Sequence, residues 1–246
     1  MTSAFKLDSI DIITNDSSTQ AWGASVSGLG YTFHKRTVYS ASGSHTWTKA
    51  TGTTAVMVYV TGAGGGGGGG SNSVNTGGGG HAGGTAVKFI TATTNDSTPT
   101  SFLNTTTVAV TVGAKGTGGG NNTAGTNGGS SSYGSFCSAT GGSGGYNSDS
   151  AYSDNPDSGI GTGGDINLKG GNGGQPHANN TSDSGGGGVG GSSYWGGGGL
   201  AADDWMGTPS KPGQAPGSGG GGGCHTNRGG SDGADGYVVV DEYKGG

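Results

Sequence analysis

Gly62-Ala63-Gly64-Gly65-Gly66-Gly67-Gly68-Gly69-Gly70 is the stretch whose reading decides the fold, with Gly77 to Gly80 and Gly83-Gly84 close behind it. The texture returns at Gly118 to Gly120, Gly141 to Gly145 around Ser143, Gly161 to Gly164 around Thr162, Gly170 to Gly174, Gly185 to Gly191, Gly196 to Gly199 and Gly219 to Gly223. Glycine supplies 64 of 246 residues. Ordering a glycine costs roughly 0.5–1 kcal/mol more than ordering alanine, so 64 of them cost on the order of 30–60 kcal/mol. That exceeds the ~5–15 kcal/mol net stability of a domain. The runs are therefore either unfolded linker or segments of a fold that tolerates no side chain.

Their placement favours the second reading. Linker glycine sits between domains, whereas each long run here is flanked by strand-like or aromatic sequence. Extended chain with three residues per turn, the polyproline II geometry, rises about 3.1 Å per residue and makes no internal hydrogen bonds. Its donors and acceptors must find partners in neighbouring segments. Several glycine segments side by side supply those partners, and only glycine allows contact on every face. Collagen is excluded because no sustained Gly-X-Y period exists.

Working outward, the flanks read as strands. Thr54 to Thr61 is nearly continuous in apolar residues, the pattern of a strand covered on both faces, and it runs straight into Gly62. Thr85 to Thr91 follows the first glycine blocks. Thr105 to Val112 alternates, with Val108, Val110 and Val112 on one side, as a half-buried strand does. Thr37 to Ser40, His45 to Lys49, a weaker Ser131 to Ala139 and the closing Tyr237 to Tyr243 complete the set. No stretch holds helical periodicity. The expected class is all-β with packed polyglycine II helices: a small β-sheet framework carrying glycine-rich insertions, with essentially no α-helix. Residues 1–36, with the cluster Ile10, Ile12 and Ile13, read as an N-terminal arm, or as the first strand of the same domain, and 37–246 as the glycine-rich domain.

Composition narrows function. Formal net charge is -5 with Lys plus Arg at 10, leaving no basic stripe for phosphate backbones. No signal-peptide h-region or membrane-spanning run is present. Cys137 and Cys224 read as two buried thiols, or as a pair if the fold brings them together. His34, His45, His81, His177 and His225 lack the spacing of a metal site or triad. Glycine abundance also manufactures motifs: Gly141-Gly142-Ser143-Gly144-Gly145 and Gly229-Gly230-Ser231-Asp232-Gly233 both satisfy the nucleophile-elbow pattern, but neither joins a strong strand to a helix. The chain reads as a non-enzyme without cofactor. Asp149, Asp154 and Asp157 lack the spacing of a known calcium loop, and Asp203-Asp204 and Asp232/Asp235 read as solvated carboxylates.

The aromatics carry more information. Tyr146, Tyr152, Tyr194, Trp195, Trp205 and Met206 fall between glycine blocks instead of in the strands. Tyr and Trp on loops over a rigid scaffold supply contact area at low entropic cost, which recognition surfaces exploit. The sets Tyr194-Trp195 and Trp205-Met206 occupy neighbouring loops, so they are the leading candidates for a shared contact. The competing role for each is capping a bundle end.

Thr46-Trp47-Thr48-Lys49, Ala55 to Val60, Thr61-Gly62-Ala63-Gly64-Gly65, the Val108 to Gly113 strand with Ala114, Ser130-Ser131-Ser132-Tyr133-Gly134 and the Gly233 to Val240 ending together resemble the glycine-rich domain of bacteriophage tail-fibre and tail-tip proteins. The resemblance covers about 37–246 and rests on a pattern of strands and glycine blocks. It implies a layered bundle of polyglycine II helices whose loops at one end touch a bacterial surface protein or glycan. It also implies a place on the virion, beside other fibre subunits, with no nucleic-acid partner and no membrane insertion. Residues 1–36 do not match the fibre-binding domain of those adhesins. Competing expectations are a head fibre or capsid decoration protein, and more remotely an ice-binding protein.

Overall fold

A computed structural model describes residues 5–7, 10–13, 30–70, 76–91, 105–147, 157–176, 185–203, 206–224 and 229–245. The strands are β1 (Phe5–Leu7), β2 (Ile10–Ile13), β3 (Thr32–Tyr39), β4 (Gly43–Thr48), β5 (Ala55–Thr61), β6 (Thr85–Thr91), β7 (Thr107–Val112), β8 (Ser131–Tyr133), β9 (Cys137–Ala139), β10 (Gly161–Thr162), β11 (Ile166–Leu168) and β12 (Tyr237–Lys244). No α-helix occurs among the described residues. Two antiparallel five-stranded sheets form, in the orders β11-β6-β5-β12-β3 and β10-β9-β8-β7-β4, beside the hairpin β1-β2.

The two five-stranded sheets face each other across one core. Val56, Val58 and Val60 of β5 and Val238 and Val240 of β12 meet Trp47, Val108, Val110, Val112 and Tyr133 of the second sheet. Alternation explains the choice: every second residue of an antiparallel strand points to one face. β5 has small or apolar residues on both faces, as its sequence suggested, and it occupies the centre of its sheet. Glu242 of β12 also points inward and is fully buried. Its carboxylate accepts hydrogen bonds from Trp47 Nε1 (3.2 Å), the Ala50 amide (2.9 Å) and Thr53 Oγ1 (2.7 Å), which replace the water it lost.

Several elements differ from the sequence expectation. The strand expected at Thr37 to Ser40 begins at Thr32, because its whole length pairs with the closing strand β12. Ser131 to Ala139 is a hairpin, β8 and β9, in place of one strand. Gly161–Thr162 and Ile166–Leu168 add an edge strand to each sheet. Cys137 and Cys224 are both buried and are not joined by a disulfide, which removes the pairing option.

The glycine blocks continue the strands as extended segments. Segment 62–70 prolongs β5, 76–84 leads into β6, 113–120 prolongs β7, and 229–236 leads into β12. Along 62–70 the amides rotate through three partners. Gly62, Gly65 and Gly68 donate to Gly84, His81 and Gly78; Ala63, Gly66 and Gly69 to Gly129, Thr126 and Thr123; Gly64 and Gly67 to Ala234 and Ser231. Its carbonyls accept with the same period, from Gly116 and Gly119, from Gly142 and Gly145, and from Gly220 and Gly223. Six segments thus surround 62–70. Segments 76–84 and 217–223 are enclosed in the same way, and the three inner segments donate in a cycle, 62–70 to 76–84 to 217–223 to 62–70.

Nine outer segments enclose the three inner ones: 113–120, 123–129, 140–146, 157–159, 170–174, 186–191, 198–202, 208–213 and 229–236. Each bonds to the next in that order, and the last closes onto the first through Gly230, Gly233 and Gly236, which donate to Gly119, Gly116 and Gly113. A three-plus-nine arrangement is a hexagonal lattice grown from a triangle. The demand for glycine follows from how closely the backbones approach. A Cβ placed on Gly67 would stand 2.5 Å from the carbonyl carbon of Gly221, and one on Gly65 2.5 Å from that of Ser143, with the carbonyl oxygens nearer still. Of the buried non-glycine residues in the inner segments, Ala63, His81, Ala82 and Ser218 lie in the half nearer the sheets and Thr76 at the far end.

Candidate functional site

Successive segments alternate in direction. Segment 76–84 runs antiparallel to 62–70, since residues 62, 65 and 68 pair with 84, 81 and 78, whereas 113–120 runs parallel to it, since 116 and 119 pair with 64 and 67. The alternation persists through 229–236, so connections fall by turns at two opposite ends. At one end stand the sheets, the β8-β9 hairpin and the turn at Ser193 to Gly196, where the Ser193 and Gly196 amides each donate to the other residue's carbonyl. At the other end lie the segment ends that flank residues 71–75, 121–122, 147–156, 175–185, 203–207 and 224–228. By sequence these stretches contain Asn, Ser, Asp and Thr with Tyr152, Trp205, Met206, His177, His225 and Arg228.

The sequence candidates divide between these ends. Tyr146 closes segment 140–146 at the end away from the sheets, is half-buried, and its carbonyl accepts from the Gly78 amide at 2.8 Å. Met206 belongs to the connection 203–207, is 66% exposed, and its amide donates to Asp203 Oδ1 at 2.9 Å. Tyr152 and Trp205 lie outside the described residues. Tyr194 and Trp195 sit at the opposite end, on the sheet. Trp195 Nε1 donates to Thr61 Oγ1 at 2.9 Å, and its ring packs edge-on against Tyr237 (5.1 Å) and Tyr59 (6.0 Å). Tyr194 stacks on Tyr59 at 6.3 Å and is half exposed. Tyr194-Trp195 and Met206 are close in sequence, yet segment 198–202 separates them, with Tyr194 and Trp195 at the sheet end and Met206 at the other.

The turn at 203–208 shows how the sequence shapes that end. Asp203 and Thr208 exchange backbone hydrogen bonds, with Asp203 N to Thr208 O at 3.0 Å and Thr208 N to Asp203 O at 2.9 Å. The Asp203 side chain caps the Met206 amide inside the turn, a local bond typical of aspartate. Asn122, with φ +53°, makes the tight turn between 113–120 and 123–129, a left-handed conformation that asparagine tolerates. Asn147 Nδ2 then donates to the Asn122 carbonyl at 2.8 Å, tying two neighbouring connections together.

Side chains also fasten the outer ring along its length. Asp232 accepts from the Gly118 amide at 3.0 Å and from Lys115 Nζ at 2.9 Å. Those donors hold its carboxyl below the usual range, the backbone bond first. Asp235 accepts from the Lys115 amide, and Asp157 pairs with Lys169 at 3.0 Å. These acids are occupied in fastening segments. Deeper in the bundle His81 is buried, and its Nδ1 accepts from the Gly173 amide at 3.3 Å. Burial pushes its pKa below the ordinary 6.5, against a hydrogen bond with Asn172 that acts the other way. Among the described residues no three His, Cys, Asp or Glu side chains converge as a metal site.

Sequence reasoning located aromatics between the glycine blocks but not which end each one serves. The available signal is parity: assigning one segment to each block makes connections alternate between the ends. A family model described as a glycine-rich domain matches residues 39–243. No curated protein matches the chain.

Proposed function

The chain belongs to the glycine-rich domain family, and from that premise we propose that it is a bacteriophage virion adhesin that binds a bacterial surface receptor, protein or glycan. It acts by binding alone, without cofactor, through connections displayed at the end of the bundle away from the sheets. One observation carries the reading: six connections, unequal in length, rich in Asn, Ser and Asp and including Tyr152 and Trp205, join segments whose ends lie at a single end of a hydrogen-bonded scaffold. Binding residues concentrate on loops that a rigid framework positions, and here the framework can keep its backbone lattice while those loops change.

The glycine segments are best read as polyglycine II helices. Their three-residue hydrogen-bond period matches three residues per turn. None of the glycines in 62–70, 77–84 or 219–223 has a positive φ, in accord with the left-handed form at φ near −75°. By that geometry seven residues rise about 22 Å, a rod long enough to hold the loops well clear of the sandwich.

The test is a binding assay of purified protein on cells that the parent virion infects. A Tyr152→Ala, Trp205→Ala, Met206→Ala variant is compared with Tyr194→Ala, which alters an exposed aromatic at the sheet end. Saturable binding lost in the first and kept in the second is the expected result. Folded wild-type protein that binds no such cell would overturn the adhesin reading in favour of a structural virion component.

A further inference from the structure

Two Asn-Gly steps occur in the chain, Asn127-Gly128 and Asn172-Gly173. At such a step the glycine amide nitrogen can attack the asparagine side-chain carbonyl carbon, because no Cβ on the following residue shields it. The five-membered ring that forms expels ammonia, and water opens it to aspartate or isoaspartate. In an unstructured chain little distinguishes one Asn-Gly step from another. In the fold the two stand in different chemical surroundings.

At Asn172 the bundle places a group at each point the reaction needs. The amides of Gly170, Gly171 and Gly174 donate to backbone carbonyls, whereas that of Gly173 donates to His81 Nδ1 at 3.3 Å. The acceptor on the attacking nitrogen is therefore an imidazole, a base able to take its proton. His81 is buried on the inner segment 76–84, and burial keeps its pKa below 6.5, so the ring is neutral at pH 7. The charged groups that face it, Asp157 and Lys169, pair with each other. Buried Ser158 donates through Oγ to Asn172 Oδ1, the atom on which negative charge develops as the carbon is attacked. Asn172 itself is exposed on the outer ring, open to water and to the loss of ammonia. Asn127 Oδ1 likewise accepts from an amide, that of Gly144 at 2.9 Å. The Gly128 amide, however, donates to the Gly142 carbonyl at 2.8 Å, which takes no proton.

We propose that Asn172 is a site of self-catalysed deamidation, with His81 as the base and Ser158 as the donor to the developing oxyanion. Gly173 N bonds to Asn172 Cγ as its proton passes to His81 Nδ1. The Cγ–Nδ2 bond then breaks, and the imidazolium hands that proton to Nδ2, which leaves as ammonia. Water adds to a carbonyl of the resulting succinimide and opens the ring, with no oxidant, reductant or cofactor. Isoaspartate at 172 routes the main chain through one extra carbon, which puts Gly174 out of step with Gly79 and Val189, its hydrogen-bond partners in the lattice. This assignment does not depend on the adhesin reading.

Peptide mapping by mass spectrometry tests it, on full-length protein incubated at pH 7 and sampled over time. Conversion at 172 in the folded protein is expected to be at least about tenfold faster than at 127, and at least about tenfold faster than at 172 in the urea-unfolded chain at the same pH. A folded rate at 172 no greater than the unfolded one would overturn the proposal. His81→Gln keeps an acceptor for the Gly173 amide but removes the base. It should slow conversion at 172 at least about tenfold and leave 127 unchanged, with hydrogen exchange at 62–70 confirming an intact lattice. An unchanged or faster rate at 172 in that folded variant also overturns the proposal. The comparison of folded with unfolded wild type stands whether or not the variant folds.

Discussion

Gly67→Ala probes the lattice at its most enclosed point. The added Cβ would lie 2.5 Å from the carbonyl carbon of Gly221 and 2.8 Å from the amide nitrogen of Gly222. Ordinary carbon contacts need about 3.5 Å, so one backbone must withdraw by roughly 1 Å. Gly67 donates to Ser231 at 2.9 Å and accepts from Gly119 at 2.8 Å. A shift of that size takes both bonds past hydrogen-bonding range. Each buried group of Gly67 left unsatisfied costs about 1–3 kcal/mol, and its donor and acceptor together about 2–6 kcal/mol. That is a large part of the ~5–15 kcal/mol available to a domain. The control is Gly197→Ala, where no atom stands within 4 Å of the added carbon and φ is not positive. It should be neutral or stabilise by about 0.4–1 kcal/mol through the unfolded chain. Urea unfolding followed by tryptophan fluorescence reads both midpoints. Equal midpoints for the two variants at equal slope would refute the claim that backbone proximity dictates glycine here.

Three further outcomes follow. Glu242→Gln replaces one acceptor oxygen by a donor among the donors of Trp47, Ala50 and Thr53, and should lower stability by about 1–3 kcal/mol in the same urea assay. Because burial lowers the folded-state pKa of His81 below 6.5, the unfolded chain takes up that proton first as pH falls. Its contribution is full above pH 6.5 and shrinks below it, so wild-type stability should drop between pH 7 and pH 5 more steeply than that of His81→Gln, measured by urea midpoint at each pH. Trp195→Phe removes the bond to Thr61 Oγ1 and should cost about 0.5–1.5 kcal/mol, while cell binding stays unchanged.

How much of this was legible in the sequence depends on what side chains can encode. β5, β6, β7 and β12 announce themselves because valine, isoleucine and threonine alternate or run together within them. β10 and β11 lie in Gly161-Thr162-Gly163-Gly164-Asp165-Ile166-Asn167-Leu168, where glycine obscures any period, and both are edge strands whose pairing comes from β9 and β6. The ordered role of the glycine blocks was legible from their flanks. The ring order was not, since glycine segments carry no side chains to tell one neighbour from another. Tyr194 and Trp195 looked like partners of Trp205 and Met206 because linear proximity was the only available cue. Segment direction, which separates them, becomes visible only once the hydrogen-bond ladder is traced.

That absence of side chains raises the question of what fixes register inside the bundle. In a strand with one buried face, a one-residue slip exposes the whole apolar set, and this penalty specifies alignment. A glycine segment that slips by one turn restores the same backbone hydrogen bonds, so the all-glycine stretches do not align themselves. In the outer ring side chains such as Asp232, on the Gly118 amide and Lys115, resist a slip; elsewhere alignment comes from the ends. Segments 62–70, 76–84, 113–120, 123–129, 140–146 and 229–236 run directly into or out of strands whose registers the valine core sets. Segments 186–191 and 198–202 meet no strand at the sheet end; there the chain turns through Ser193 to Gly196. The Trp195 ring, wedged against Tyr59 and Tyr237 and bonded to Thr61, supplies the missing reference, so this aromatic acts as the register pin for the two segments it joins. The sandwich is therefore the template from which the bundle takes its alignment, and the precision of the loop end is inherited from side chains packed at the opposite one.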